Sequence, residues 1–132
     1  MATFNDVAEA RIYFADDRFA VENDMTIEAI GEDWSTCSME IGRRHLNANG
    51  HVMGGAIFTL ADFAFAVACN NVHRPTVGLQ VSINFLSTTR GSKLIAHAKY
   101  IRNGRTTCVY NVDVIDDLGC DIAQFIGTGY KA

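Results

Sequence analysis

Between Arg44 and Arg74 the chain carries no lysine or arginine and a single carboxylate, Asp62. It sits in the run Gly54–Cys69, which is otherwise apolar apart from Thr59. A carboxylate inside a buried helix is costly unless something pairs with it or donates to it. No Lys or Arg lies within two helical turns to do so. Desolvation should therefore raise its pKa, and carboxylates perturbed in this way are candidates for a general base or a nucleophile. A structural role is the alternative: Asp62 could cap a loop or accept from a hydroxyl such as Thr59.

A second chemical feature precedes it. Gly54-Gly55 opens the apolar run. Glycines let a ligand approach the backbone, and the first N–H groups of a helix have no helical acceptor. The positive end of the helix dipole favours developing negative charge there, as an oxyanion hole for acyl transfer requires. A tight turn or close helix–sheet packing would also explain the glycines. Gly54 and Asp62 are eight residues apart, which is ~12 Å along one helix. A base and an oxyanion donor must both lie near one reacting carbon, within ~3 Å. One helix cannot supply both, so the spacing predicts a site shared by two chains, with Asp62 of one subunit facing Gly54 or Gly55 of the other.

These groups need elements to hold them. Asn5–Phe14 reads as a short helix with Asn5 or Asp6 as N-cap and Ala8, Ile12 and Ala15 on one face. Met25–Gly31 and Trp34–Gly42 read as strands joined by a turn at Gly31-Glu32-Asp33, the second alternating through Cys37, Met39 and Ile41. Arg43–Gly55 is a His-, Asn- and Gly-rich loop. The apolar helix then runs to Cys69 or Asn71, and Pro75 blocks its extension. Up to four more strands follow: Val77–Leu86, Lys93–Arg102, Arg105–Asp116 and Gly119–Tyr130, separated by turns at Thr88–Ser92, Asn103-Gly104 and Asp116–Gly119. A helix apolar on all sides must be buried on most of them. The simplest solution is an α+β fold in which a curved antiparallel sheet of five to six strands wraps a long central helix. Open sheet edges make a dimer with a continuous sheet the natural assembly.

Composition sets the frame. A length of 132 residues points to one domain spanning 1–132 and suffices for a core without staples. The net charge of −4 and the lack of a basic cluster argue against nucleic acid as a partner. The N-terminal residues lack a secretory pattern, and the longest apolar run is too short and polar to span a membrane. Cys37, Cys69, Cys108 and Cys120 are widely spaced, as in a reduced cytoplasmic protein, and with His45, His51, His73 and His97 they form no metal-ligand spacing.

The run Asn47-Ala48-Asn49-Gly50-His51-Val52-Met53-Gly54-Gly55 through Leu60-Ala61-Asp62 resembles the signature of hotdog-fold acyl-CoA thioesterases, most closely the phenylacetate-degradation subgroup. Phe63–Asn70, Ser82-Ile83-Asn84-Phe85-Leu86 and Gly104-Arg105-Thr106-Thr107 extend the likeness, which covers the chain from about Arg11. The resemblance implies a hotdog fold and hydrolysis of acyl- or aryl-CoA thioesters. It implies Asp62 as the base or nucleophile, the N–H of Gly54 or Gly55 as oxyanion donor, and Asn47 as the side chain that orients the carbonyl or the water. It implies no cofactor, since CoA is part of the substrate, and a homodimer that pairs into a dimer of dimers. Basic groups near strand turns hold CoA in such proteins. Arg105, beside Thr106, is the first candidate, with Lys93, Arg102 and Arg90 after it.

The pattern is broken twice. Met53 stands where the family usually has His, with His51 as a nearby substitute, and Gly78 stands about where relatives carry Ser or Thr, with Thr76 the nearest hydroxyl. Met53 would then contact substrate rather than orient it by hydrogen bonding. Phe58, Phe63, Phe65 and Ala66 are candidates for an acyl pocket, or plain core at helical spacing. Two other functions remain open at this point. One is a non-catalytic acyl-CoA binding or sensor module. The other is a hotdog enoyl-thioester hydratase, which would usually need a His that this helix lacks.

Overall fold

In the computed structural model, which describes residues 2–132, the elements are α1 (Val7–Phe14), α2 (Arg18–Glu22), β1 (Met25–Ile30), β2 (Trp34–Glu40), a 3₁₀ turn at Arg43–His45, α3 (Gly54–Asn70), β3 (Thr76–Phe85), β4 (Lys93–Asn103), β5 (Thr107–Asp116) and β6 (Asp121–Lys131). The strands form one antiparallel sheet in the order β1-β2-β4-β5-β6-β3. It curls around α3, which packs most heavily on β2, β4 and β5. This is the α+β hotdog arrangement anticipated from the pattern of one apolar helix among alternating strands, with all six strands present.

Alternation explains the packing. Cys37 and Met39 on β2, Leu94, Ala96 and Ala98 on β4, Tyr110, Val112 and Val114 on β5, and Phe125 on β6 all turn inward and are buried. Small residues appear where the helix comes closest. A Cβ on Gly127 would lie 3.2 Å from the Phe65 ring, so β6 gives that ring its room. The four cysteines are free thiols, and no described helix is long and apolar enough to cross a membrane.

The N-terminal region differs from expectation in two respects. α1 is capped by Asp6, whose side chain accepts from the Glu9 N–H at 2.8 Å, but its buried face is Ala10 and Phe14. Ile12 is 76% exposed, and Ala8 and Ala15 are exposed too. Aromatic contacts decide the face: the Phe14 ring meets Phe63 edge-on at 5.8 Å and Phe4 at 5.9 Å. The five-residue α2 has no pattern long enough to announce it.

Burial of α3 is also incomplete. Gly55, Phe58, Thr59, Asp62 and Ala66 form a partly exposed stripe at helical spacing. The neighbouring edge strand β3 leaves Val77, Leu79 and Phe85 48–60% exposed. The other edge is covered: α1 packs on β1, and Arg11 donates from Nε and Nη2 to the Ile27 carbonyl. The exposed face of β3 thus lies beside the partly exposed stripe of α3 that carries Asp62.

Candidate active site

The N-terminus of α3 is held by its loop. Met53 is the N-cap, in extended conformation; its N–H donates to the His45 carbonyl at 2.8 Å and its own carbonyl accepts from Ala56 and Ile57. His45 is 2% exposed. Its Nδ1 accepts the Gly42 N–H at 2.9 Å, so the proton sits on Nε2, which donates to the Asn23 carbonyl at 2.9 Å. His45 therefore pins the loop to the end of α2. Nothing in the spacing of histidines distinguished it from the others.

Asn47 shapes the same loop. Its Oδ1 accepts from the N–H groups of Asn49 and His51 at 2.9 and 3.1 Å, and its N–H donates to the His51 carbonyl. Only its Nδ2 is left to reach a ligand. The N–H groups of Gly54 and Gly55 have no acceptor among the described residues. A Cβ on Gly54 would stand 3.1 Å from the Phe85 ring, whereas one on Gly55 would meet only the Met53 sulfur at 3.9 Å. Close approach to β3 explains the first glycine, and open space on the exposed stripe surrounds the second.

Asp62 lies two turns further along. Burial pushes its pKa up, and the nearby carboxylate of Asp17 pushes it further the same way. No described group donates to it or pairs with it. The structural alternative raised above does not hold, because the Thr59 hydroxyl donates to the Gly55 carbonyl at 2.8 Å instead. What remains is a half-buried carboxylate without a partner, of raised basicity.

Two clefts flank the helix N-terminus. One, of about 400 Å³, lies between Gly54, Ile57 and the segment Phe85–Thr89, with His51 at its rim. The other, of about 380 Å³, lies between α2 and the first turns of α3, with Met53 and Phe58 in its wall. The Phe85–Thr89 wall depends on a residue that the sequence did not single out. Asp116, 1% exposed, accepts from the Thr89 hydroxyl and from the N–H groups of Arg90, Gly91, Leu118 and Cys120. Those donors hold its pKa down at about 2.

The proposed CoA contacts do not gather in one chain. Lys93 lies at the α3 N-terminal end of the sheet and pairs with Glu28 at 3.3 Å. Arg105 and Thr106 lie at the opposite end, where Thr107 faces Tyr130 and Thr76 faces Lys131. A ten-residue strand separates the two ends by ~33 Å. Arg90 is on the Phe85–Thr89 side, and Arg102 is near Arg105. The Thr76 hydroxyl is buried and donates to the His73 carbonyl at 2.6 Å, so it cannot stand in for a hydroxyl at Gly78.

The thioesterase superfamily model matches residues 49–119, a stretch that holds the glycines, Asp62 and the strands around them. The chain belongs to the thioesterase superfamily. A putative esterase of Archaeoglobus fulgidus is 35% identical over 109 residues, covering 82% of this chain and 71% of its own. The acyl-coenzyme A thioesterase PaaI of Escherichia coli is 30% identical over 118 residues, covering 83% and 84%. A solved structure of the E. coli PaaI protein superposes with a TM-score of 0.88 over 93% of this chain and 90% of that one, at 27% identity. A hypothetical thioesterase protein from Streptococcus pneumoniae solved with coenzyme A gives 0.83 over 90% and 96%, at 26% identity. The protein is thus a hotdog-fold thioester hydrolase of the PaaI type.

Proposed function

We propose that this protein hydrolyses acyl-CoA thioesters at two identical sites, each built from Asp62 of one chain and the α3 N-terminus of a second copy. The observation that carries the reading is the state of Asp62: half-buried, raised in pKa, without a partner among the described residues, and placed on the partly exposed stripe of α3. Its substrate class is supported by the E. coli relative, named an acyl-CoA thioesterase, and by the S. pneumoniae structure that contains coenzyme A.

In this reading the thioester carbonyl oxygen accepts from the free N–H groups of Gly54 and Gly55, which stabilise the negative charge that develops on it. Asp62 of the partner takes a proton from a water that attacks the carbonyl carbon. The raised basicity favours that role over direct attack. Collapse of the tetrahedral intermediate breaks the C–S bond, the CoA thiolate leaves and is protonated, and the free acid is released. The Asn47 Nδ2, which the loop leaves without a partner, orients the carbonyl or the water in this reading. CoA is part of the substrate, so the reaction draws on no further cofactor.

The dimer follows from the bare edge. Antiparallel pairing of two β3 strands about a twofold axis would extend the sheet and cover Val77, Leu79 and Phe85. It would also carry the Arg105–Thr106 turn of the partner towards the Gly54 end of the first chain, where the CoA phosphates could meet it. A dimer of dimers would then form through surfaces outside this pairing.

Complementation tests the reading. Asp62→Asn and Gly54→Pro should each lose thiol release from acyl-CoA by ~10²–10⁴-fold. Proline is tolerated at the first helical position but removes the N–H donor. Mixed and refolded together, the two variants should regain activity, because half of the sites in a hybrid dimer combine an intact Asp62 with an intact Gly54. No regain would place both groups in one chain's site and refute the shared arrangement.

A further inference from the structure

The four thiols take no part in the chemistry described above, and their surroundings separate them. Cys37 is enclosed in the core, and burial pushes its thiol up to about 12. Cys120 is half-buried, with its sulfur 3.3 Å from the Ser87 hydroxyl. Cys69 and Cys108 are both buried, and the packing of α3 on β5 brings them together. Phe65, one helical turn before Cys69, meets the Tyr110 ring edge-on at 5.9 Å. Tyr110 shares the inward face of β5 with Cys108. The next turn of the helix therefore lies over Cys108, and the two thiols are in hydrogen-bonding contact. Gly129 faces Cys108 from β6, and a Cβ there would stand 2.9 Å from the Cys108 sulfur. The proton of the shared bond stays with Cys69. Donation from Cys69, with the charge of Lys131 behind it, holds the Cys108 thiol below its ordinary range against the effect of burial.

We propose that Cys69 and Cys108 are a redox pair, oxidised by hydrogen peroxide to an intramolecular disulfide that slows thioester hydrolysis. The Cys108 thiolate attacks one peroxide oxygen, the O–O bond breaks, and the other oxygen leaves as hydroxide. The sulfenic acid formed on Cys108 is then attacked by the Cys69 sulfur. The S–O bond breaks, and water leaves with the Cys69 proton. Both sulfurs are buried, which restricts the oxidant to one near the size of water. A disulfide holds its sulfurs about 2 Å apart, closer than hydrogen-bonding contact, so one element must move. β5 is hydrogen-bonded to β4 on one side and β6 on the other, so α3 moves. Asp62 is seven residues before Cys69 on that helix, which is ~10 Å along its axis. Displacing that segment takes the carboxylate out of line with the carbonyl it serves. The bond stands apart from the acyl-CoA thioesterase reading, and only its effect on turnover rests on that reading.

The test treats the reduced protein with hydrogen peroxide and blocks the remaining thiols with N-ethylmaleimide. Intact mass, peptide map and thiol release from acetyl-, hexanoyl- and phenylacetyl-CoA are read before and after dithiothreitol. Cleavage before Asp and after Lys or Arg leaves Cys69 in residues 62–90 and Cys108 in residues 106–112, apart from Cys120. Oxidation should remove two hydrogens from the intact mass, join those two peptides and lower kcat/KM at least about tenfold. Dithiothreitol should reverse all three. Cys108→Ser should keep kcat/KM within about twofold when reduced and lose the response to peroxide. Should that variant not fold, the wild-type cross-link and its reversal decide alone. Oxygen added to either sulfur without a cross-link, a cross-link through Cys37 or Cys120, or unchanged turnover in the cross-linked protein overturns the proposal. So does an inhibition that dithiothreitol leaves in place, as oxidation at methionine would. If the reduced protein releases thiol from none of these thioesters, the hydrolase reading fails, and the peptide map still decides the cross-link.

Discussion

At the C-terminal end of α3 the carbonyls of Ala66, Val67, Cys69 and Asn70 all accept hydrogen bonds from beyond the helical ladder or from its last side chains, whereas at the N-terminal end the N–H groups of Gly54 and Gly55 donate to nothing in the chain. Two asparagines make the difference. Asn70 donates to the Ala66 carbonyl at 2.8 Å and accepts the Thr76 N–H at 2.9 Å, fixing the start of β3. Asn71 donates to the Gly31 carbonyl and accepts the Phe4 N–H at 2.9 Å, fixing the β1–β2 turn and the N-terminal segment. One end of the helix is therefore satisfied within the chain, and the other is left open. The first N–H groups of any helix lack helical acceptors, and here they open onto the partly exposed stripe that also carries Asp62.

Breaking the satisfied end should have the largest effect on folding. Asn70→Ala removes the bonds to the Ala66 and Thr76 carbonyls and leaves the Thr76 N–H without its acceptor. It should lower stability by about 2–4 kcal/mol in urea denaturation, while thiol release per folded molecule stays within twofold. A loss below about 1 kcal/mol would mean that Asn70 does not anchor β3 as the geometry implies. Disturbing the open end should do the reverse. Gly54→Ala gains helix propensity of up to ~1 kcal/mol but brings a methyl group within 3.1 Å of the Phe85 ring. Stability should change little, and kcat/KM should fall about tenfold as the first turn and the Phe85 wall move apart. An unchanged kcat/KM would argue against the α3 N-terminus as the oxyanion site.

This contrast was only half legible in the sequence. Glycine before an apolar run and a lone carboxylate inside it are features of type and spacing, so Gly54, Gly55 and Asp62 could be singled out without coordinates. The strands were legible for the same reason: alternation at Cys37–Ile41 and Leu94–Ala98 is a local signal that burial later respects. The supports were not. His45 and Asp116 act through backbone groups that are distant or irregular, and no spacing rule encodes a side chain that accepts from four backbone N–H groups and a hydroxyl. The buried face of α1 was misread because Phe14 finds Phe63, 49 positions away, and that contact outweighs the local pattern of Ala8 and Ile12. Arg105 and Lys93 were both candidates as turn charges, Arg105 the first, and only the register puts them at opposite ends of the sheet.

The smallest expected effect uses pH to compare the two carboxylates nearest these devices. Asp116 has its pKa held down at about 2 by its donors, so it adds stability above the ordinary carboxylate range, and that stability is lost as pH falls through about 2. Asp62 is shifted the other way. A carboxyl whose folded pKa is raised favours the folded state fully only below its unfolded pKa, ~3.9, and that contribution disappears as pH rises through the folded value. Above its folded value the ionised Asp62 is therefore a destabilising group. Asp62→Asn should raise Tm at pH 7 while abolishing thiol release, and the gap in Tm should close as pH is lowered towards ~4. Asp116→Asn should lower Tm at pH 7, with its deficit shrinking only at still lower pH. If Asp62→Asn lowers Tm at neutral pH, the carboxylate is satisfied in the assembled protein, and the open end of α3 is not where the fold gives up stability for catalysis.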